Sequence, residues 1–129
     1  MVARPEGEPV STTRFPKSVF GVGEEPDPRF TLANERTFLA WNRTALALIA
    51  GGVALEAFGL DLHEGLRLAA SILLVVAGLV IPIVAWLEWK QTERALRTGN
   101  ALPGARSSIV LAVVVSAVGL LVLLGVLLR

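Results

Sequence analysis

The chain has 129 residues, 53% of them hydrophobic, with one histidine, no cysteine and a formal net charge of +1. A mean hydropathy of +0.64 is too apolar for an ordinary soluble domain and puts membrane classes first. The absence of cysteine excludes disulfides, thiolate metal sites and a thiol nucleophile, while the near-zero net charge says little about partners.

Residues 1–30 hold five of the seven prolines (Pro5, Pro9, Pro16, Pro26 and Pro28) and show no apolar periodicity. Met1 to about Gly23 reads as a mobile tail. With no apolar core of 7–15 residues, it does not read as a cleaved leader. Asp27-Pro28-Arg29-Phe30-Thr31 reads as an ordered lead-in, in which Thr31 or Asp27 caps the first long helix and Glu35 sits favourably near its positive end. The expected division is a disordered tail over 1–26 and a three-helix transmembrane domain over 27–129.

The first span is expected near 32–58. Thr44 to Leu55 carries no charge but has only 12 residues, and a spanning helix needs about 20 at about 1.5 Å each. The span must therefore extend into the turns holding Arg43 or Glu56, and a charge at membrane depth is a functional candidate by default. The second span, near 66–98, contains 20 uncharged residues from Leu68 to Leu87, and the third, near 107–128, contains 22 from Ser107 to Leu128. A soluble helix hairpin fits poorly, because no amphipathic partner remains to cover so much apolar surface. Pro82, four residues after Gly78, is expected to kink the second helix. His63 reads as a solvated loop residue. Ala47 with Gly51, Ala50 with Ala54, and Ala112 with Ser116 are small residues four apart, a spacing that lets helices approach closely in lipid.

Lysine and arginine counts set the expected orientation. The N-terminal side carries Arg4, Arg14, Lys17, Arg29, Arg36 and Arg43, and the second loop carries Lys90, Arg94, Arg97 and Arg106. The first loop has Arg67 alone, and the C-terminus only Arg129. The N-terminus is thus expected inside and the C-terminus outside, with Trp41, Trp86 and Trp89 near the inner interface.

No catalytic triad, phosphate loop, histidine pair or nucleotide-binding glycine pattern is present, so an enzyme is not expected, nor a cofactor, a metal or a nucleic-acid partner. The basic residues are the main chemical signal. Arg36 and Arg43 are seven apart, which places them on nearly one helix face about 10 Å apart in depth, and Arg29 extends the line. Glu35, Asn42, Ile49 and Glu56 form the adjacent stripe at the same spacing. Three uses of the arginines stand open. They can snorkel to anionic lipid headgroups. They can pair with Glu35, Glu88 or Glu93 of a neighbouring helix. Or copies of the chain can ring them around a pore that selects anions.

Arg29-Phe30-Thr31-Leu32-Ala33-Asn34-Glu35-Arg36-Thr37-Phe38-Leu39-Ala40-Trp41, followed by Arg43-Thr44-Ala45-Leu46-Ala47-Leu48, resembles the signature of the YidH-type bacterial inner-membrane family, domain of unknown function two-hundred-and-two. Its core is also similar to the membrane domain of the vacuolar transporter chaperone complex. The resemblance covers about residues 27–128, with the specific motif confined to 29–48. It implies a three-helix subunit in a homo-oligomer, a pentamer, with first helices lining a path for polyphosphate. The basic positions of that path fall on Arg29, Arg36 and Lys90, with Glu35 as the acidic neighbour; beside the resemblance, Arg43 is placed deeper in the same mouth, with Asn34, Asn42 and Glu56 in support. Asn42 stands where Ile or Leu is expected, Arg43 matches the bacterial family alone, and the polymerase and phosphate-sensing domains of the eukaryotic complex are absent. The expected protein is an all-α, oligomeric, inner-membrane anion or polyphosphate channel, with anionic lipids and inorganic anions as further partners. The alternative is a non-conducting module that scaffolds a partner or organises lipid.

Overall fold

The computed structural model describes residues 14–104 and 106–129. A short helix α1 (Lys17–Phe20) precedes three long ones, α2 (Pro28–Ala57), α3 (Glu64–Thr98) and α4 (Arg106–Leu127). Each long helix is sufficient in length and apolar content to cross a membrane. Among the described residues there is no strand, so the chain is an all-helical protein with three candidate spans.

Local chemistry sets the ends of these helices. Asp27 caps α2, accepting the Arg29 amide at 3.0 Å, and Pro28 supplies a pre-set first position. The helix therefore starts four residues before the expected boundary at 32. His63 caps α3, Nδ1 accepting the Leu66 amide at 3.4 Å, so this exposed loop residue also has a structural task. Gly99, in the left-handed region at φ 72°, ends α3. With 35 residues, α3 runs continuously past Pro82. It is roughly 52 Å long, well beyond a hydrocarbon core of about 30 Å. Its last turns therefore extend outside the apolar slab.

The helices run up, down and up. Thr31 of α2 meets Glu93 of α3, and Glu88 of α3 meets Ser107 of α4, at one end. At the other, the His63 amide donates to the Gly125 carbonyl and Arg129 reaches Asp61. Helix α3 lies in the middle with α2 and α4 packed against it. Ala45, Leu48, Ala77 and Ile81 form the core, joined by Trp41, Leu74 and three α4 residues, Val110, Leu111 and Val114.

Two glycines permit the close α2–α3 approach. A Cβ on Gly78 would collide with Ile49 and lie 2.8 Å from the Ala45 carbonyl oxygen; one on Gly52 would lie 2.8 Å from the Ser71 carbonyl oxygen. The expected pairs differ from these: Ala47, Ala50, Ala112 and Ser116 are exposed, and Gly51 and Ala54 are half-buried.

Candidate functional site

The signature segment of α2 has two faces with different tasks. Thr31, Asn34, Phe38, Trp41, Ala45, Leu48 and Gly52 recur every three or four residues and are all half-buried or buried. This is the seam against α3. At its end lies the Glu93 carboxylate, only 1% exposed. Its two oxygens accept from the Thr31 hydroxyl at 2.8 Å and from Asn34 Nδ2 at 3.2 Å. Asn34 Nδ2 also reaches the Trp89 carbonyl at 3.1 Å. A buried carboxylate is tolerated only when hydrogen-bonded, and these residues supply the bonds. The role of Asn34 is therefore to lock α2 to α3.

The arginines lie on the other face. At about 100° per residue, Arg29, Arg36 and Arg43 fall nearly opposite the seam, and all three are exposed. Arg29 is held by Asp27, Nη2 to Oδ2 at 2.9 Å. That hydrogen bond, with the Arg29 amide, keeps the Asp27 carboxyl below its usual range. Among the described residues, Arg36 and Arg43 have no carboxylate partner, and neither has Glu35. The expected pairing of Arg36 or Arg43 with Glu88 or Glu93 does not occur within the chain. Glu93 is taken by Thr31 and Asn34, and Glu88 caps α4, accepting from the Ser107 amide at 2.6 Å and its hydroxyl at 2.9 Å. A carboxylate at a helix N-terminus is favoured by the helix dipole, so Glu88 has a stabilising task of its own.

The other expected site residues are spread apart. Lys90 Nζ sits 4.7 Å from the centroid of the Trp86 ring on its own helix. Among the described residues no contact joins it to Arg29, Arg36 or Arg43. Asn42 donates to the Phe38 carbonyl at 3.0 Å, within α2. Glu56 stands at the far end of α2, where Oε1 meets Arg67 Nε at 3.4 Å and accepts from the Ser71 hydroxyl at 3.3 Å. One copy thus presents a line of three arginines rather than an enclosed basic site.

One constellation has no counterpart among the expected residues. Arg97, 4% exposed, donates from Nε to the Val22 carbonyl at 3.0 Å and from Nη2 to the Phe20 carbonyl at 3.1 Å, with Glu25 at 3.3 Å. The Phe20 ring lies beneath its guanidinium, 5.3 Å away. The Glu24 amide returns a bond to the Arg97 carbonyl at 3.1 Å, and Gly23, at φ 59°, packs against that same carbonyl. Arg94 adds a bond to the Ser18 carbonyl, and Val19 is buried. Residues 14–26, which the sequence reading places in the tail over 1–26, form a strap on the overhanging end of α3; residues 1–13 lie outside the described residues. Arg97 reads in the sequence as one more loop cation. The available signals were the apolar pair Val19-Phe20 and the Gly21-Val22-Gly23 turn.

Comparison with known proteins agrees with the signature. No solved structure matches the chain. It is 37% identical over 103 residues to "Inner membrane protein YidH" of Escherichia coli (strain K12), covering 79% of this chain and 90% of that one. It is 43% identical over 100 residues to "Uncharacterized protein Rv2272" of Mycobacterium tuberculosis (strain ATCC 25618 / H37Rv), covering 77% and 82%. Residues 29–95, which hold the arginine face, the seam and Glu93, match the family model described as "Domain of unknown function (DUF202)", and the chain belongs to that family.

Proposed function

We propose that this is a multi-pass inner-membrane protein whose copies assemble with α2 around a shared axis, and that Arg29, Arg36 and Arg43 bind anions there. The observation that carries this reading is the position of Arg36 and Arg43, exposed and, among the described residues, without a carboxylate partner, on the side of α2 turned away from α3. Ala33, Ala40 and Ala47, between and beyond the arginines, leave room for a neighbouring helix or for water. Arg43 is the deepest of the three, and an arginine turned to lipid within a span is disfavoured. A wet lumen removes that penalty, and rings of arginine select anions. The likeness of residues 33–41 to the membrane domain of the vacuolar transporter chaperone complex supports polyphosphate, alongside phosphate, as the anion. The inner-membrane assignment rests on the YidH relatives. The N-terminus inside and C-terminus outside follow from the lysine and arginine bias.

A second reading, a non-conducting module that organises lipid or a partner, is favoured by Lys90. Its stacking on Trp86 is the arrangement of an interfacial anchor. The deciding experiment is ion selectivity of the purified protein in planar bilayers under a salt gradient, with oligomer size measured in parallel. Anion-selective current that weakens or reverses selectivity in Arg36→Glu supports the pore. Silence from an intact parent oligomer, with no phosphate or polyphosphate bound, overturns it in favour of the module.

A further inference from the structure

A second feature lies at the opposite end of the α2–α3 pair from the strap and Glu93. There an open groove of about 600 Å³ runs between the two helices. Val53 and Ala57 of α2 and Ile72, Val75 and Val76 of α3 form its walls, with Gly52 at its base. Gly52 cannot be larger, because its Cβ would meet the Ser71 carbonyl and Val75. Val53, Ile72 and Val76 are exposed, so the groove opens to the side of the bundle, toward the acyl region.

The groove is apolar along its length and polar only near the α2–α3 turn. Glu56 and Ser71 line it there, and Arg67 meets Glu56 through Nε at 3.4 Å. Both ions keep unused capacity. Glu56 makes its contacts through Oε1, leaving Oε2 for a cation, and its side chain is 41% exposed. Arg67 engages Nε and Nη1, the latter with the Leu60 carbonyl at 2.9 Å, leaving Nη2 for an anion. Glu56 at the mouth of the apolar groove, with Arg67 paired beside it, complements a ligand with the same two charges in reverse and a hydrocarbon tail. A net-anionic headgroup would meet Glu56 unfavourably, and a purely apolar molecule would leave both ions unanswered.

We propose that this groove binds one acyl chain of a zwitterionic phospholipid of the phosphatidylethanolamine type, with its ammonium on Glu56, its phosphate on Arg67 and its chain lying along Val53, Ile72 and Val76. The site is independent of the arginine face of α2 and does not require a pore.

The test is native mass spectrometry of protein reconstituted in vesicles of equal phosphatidylethanolamine and phosphatidylglycerol, then extracted in mild detergent. The parent retains phosphatidylethanolamine in preference to phosphatidylglycerol. Val53→Trp, which fills the groove from its exposed wall, lowers retention at least tenfold. Glu56→Gln leaves lipid bound but removes the preference. Circular dichroism confirms that both variants remain helical. Equal retention by Val53→Trp, or a parent preference for phosphatidylglycerol, overturns the assignment. Efficient cross-linking between copies of an Ile72→Cys variant in the same vesicles also overturns it, since a second copy would then occupy the groove. The chain has no other cysteine to confuse that readout.

Discussion

Asn34 Nδ2 donates to Glu93 Oε2 across the α2–α3 seam at 3.2 Å, joining a residue of the signature motif to a carboxylate 59 positions later. Replacing Asn34 with Ala leaves Glu93 with the Thr31 hydroxyl as its only donor from α2. Hydrogen bonds to charged groups contribute about 1.5–3 kcal/mol, and we expect Asn34→Ala to destabilise the bundle by an amount in that range. Reversible unfolding in mixed micelles measures it. Glu93→Gln in the Asn34→Ala background should recover part of the loss, because a neutral amide is less costly to bury than an under-bonded carboxylate.

Gly78 and Gly52 carry the close α2–α3 contact, whereas Gly119 of α4 has nothing within 4 Å of its Cβ position. Gly78→Ala forces Ile49 and the α2 backbone aside, and overpacking of this kind costs about 1–3 kcal/mol. Gly119→Ala should be neutral or slightly stabilising, since alanine is the better helix former. Equal effects from the two changes in the same unfolding assay would contradict this packing.

Arg97 fastens the strap through two carbonyls and Glu25. Loss of charged hydrogen bonds worth about 1.5–3 kcal/mol corresponds to roughly tenfold or greater acceleration of local opening. We expect Arg97→Leu to speed amide exchange in residues 17–25 by at least that factor while the α2–α3 seam stays protected. Gly23→Ala should do the same, because its φ of 59° and the Arg97 carbonyl leave no place for a Cβ.

Asp27 caps α2 as a carboxylate, and its hydrogen bonds from Arg29 lower its affinity for protons in the folded state. A folded-state value below the unfolded one means that the stabilisation is fully present above the unfolded carboxylate value, about 3.9. It is lost as pH falls through the lower folded value. Protection of the Arg29 amide should therefore hold from neutral pH to about pH 4 and fail only below it. Asp27→Ala should show no protection at any pH.

Much of the fold is legible in the residues. Long uncharged runs report spans because lipid offers no hydrogen bonds and little solvation for charge. Asp27-Pro28 reports a helix start because capping is local chemistry. The seven-residue spacing of Arg29, Arg36 and Arg43 reports a shared face by helix geometry alone. The site was legible only in part. Asn42 and Glu56 share the spacing of Glu35, yet the structure gives Asn42 to its own helix and Glu56 to Arg67. Periodicity specifies a direction around a helix and says nothing of what lies there.

The sequence by itself determined three apolar helices, the arginine line on α2 and membership of a family through a local motif. Tertiary structure decided which face of that motif is spent on packing. It gave Glu93 to Thr31 and Asn34, gave Glu88 to Ser107, and left Arg36 and Arg43 facing away from the chain. It also turned Arg97 from a loop cation into the anchor of a strap 75 residues away. The physical reason is that span formation depends on the free energy of short contiguous segments. The partner of a buried polar group depends instead on which distant segment arrives within about 3 Å, and that is settled only when the helices pack.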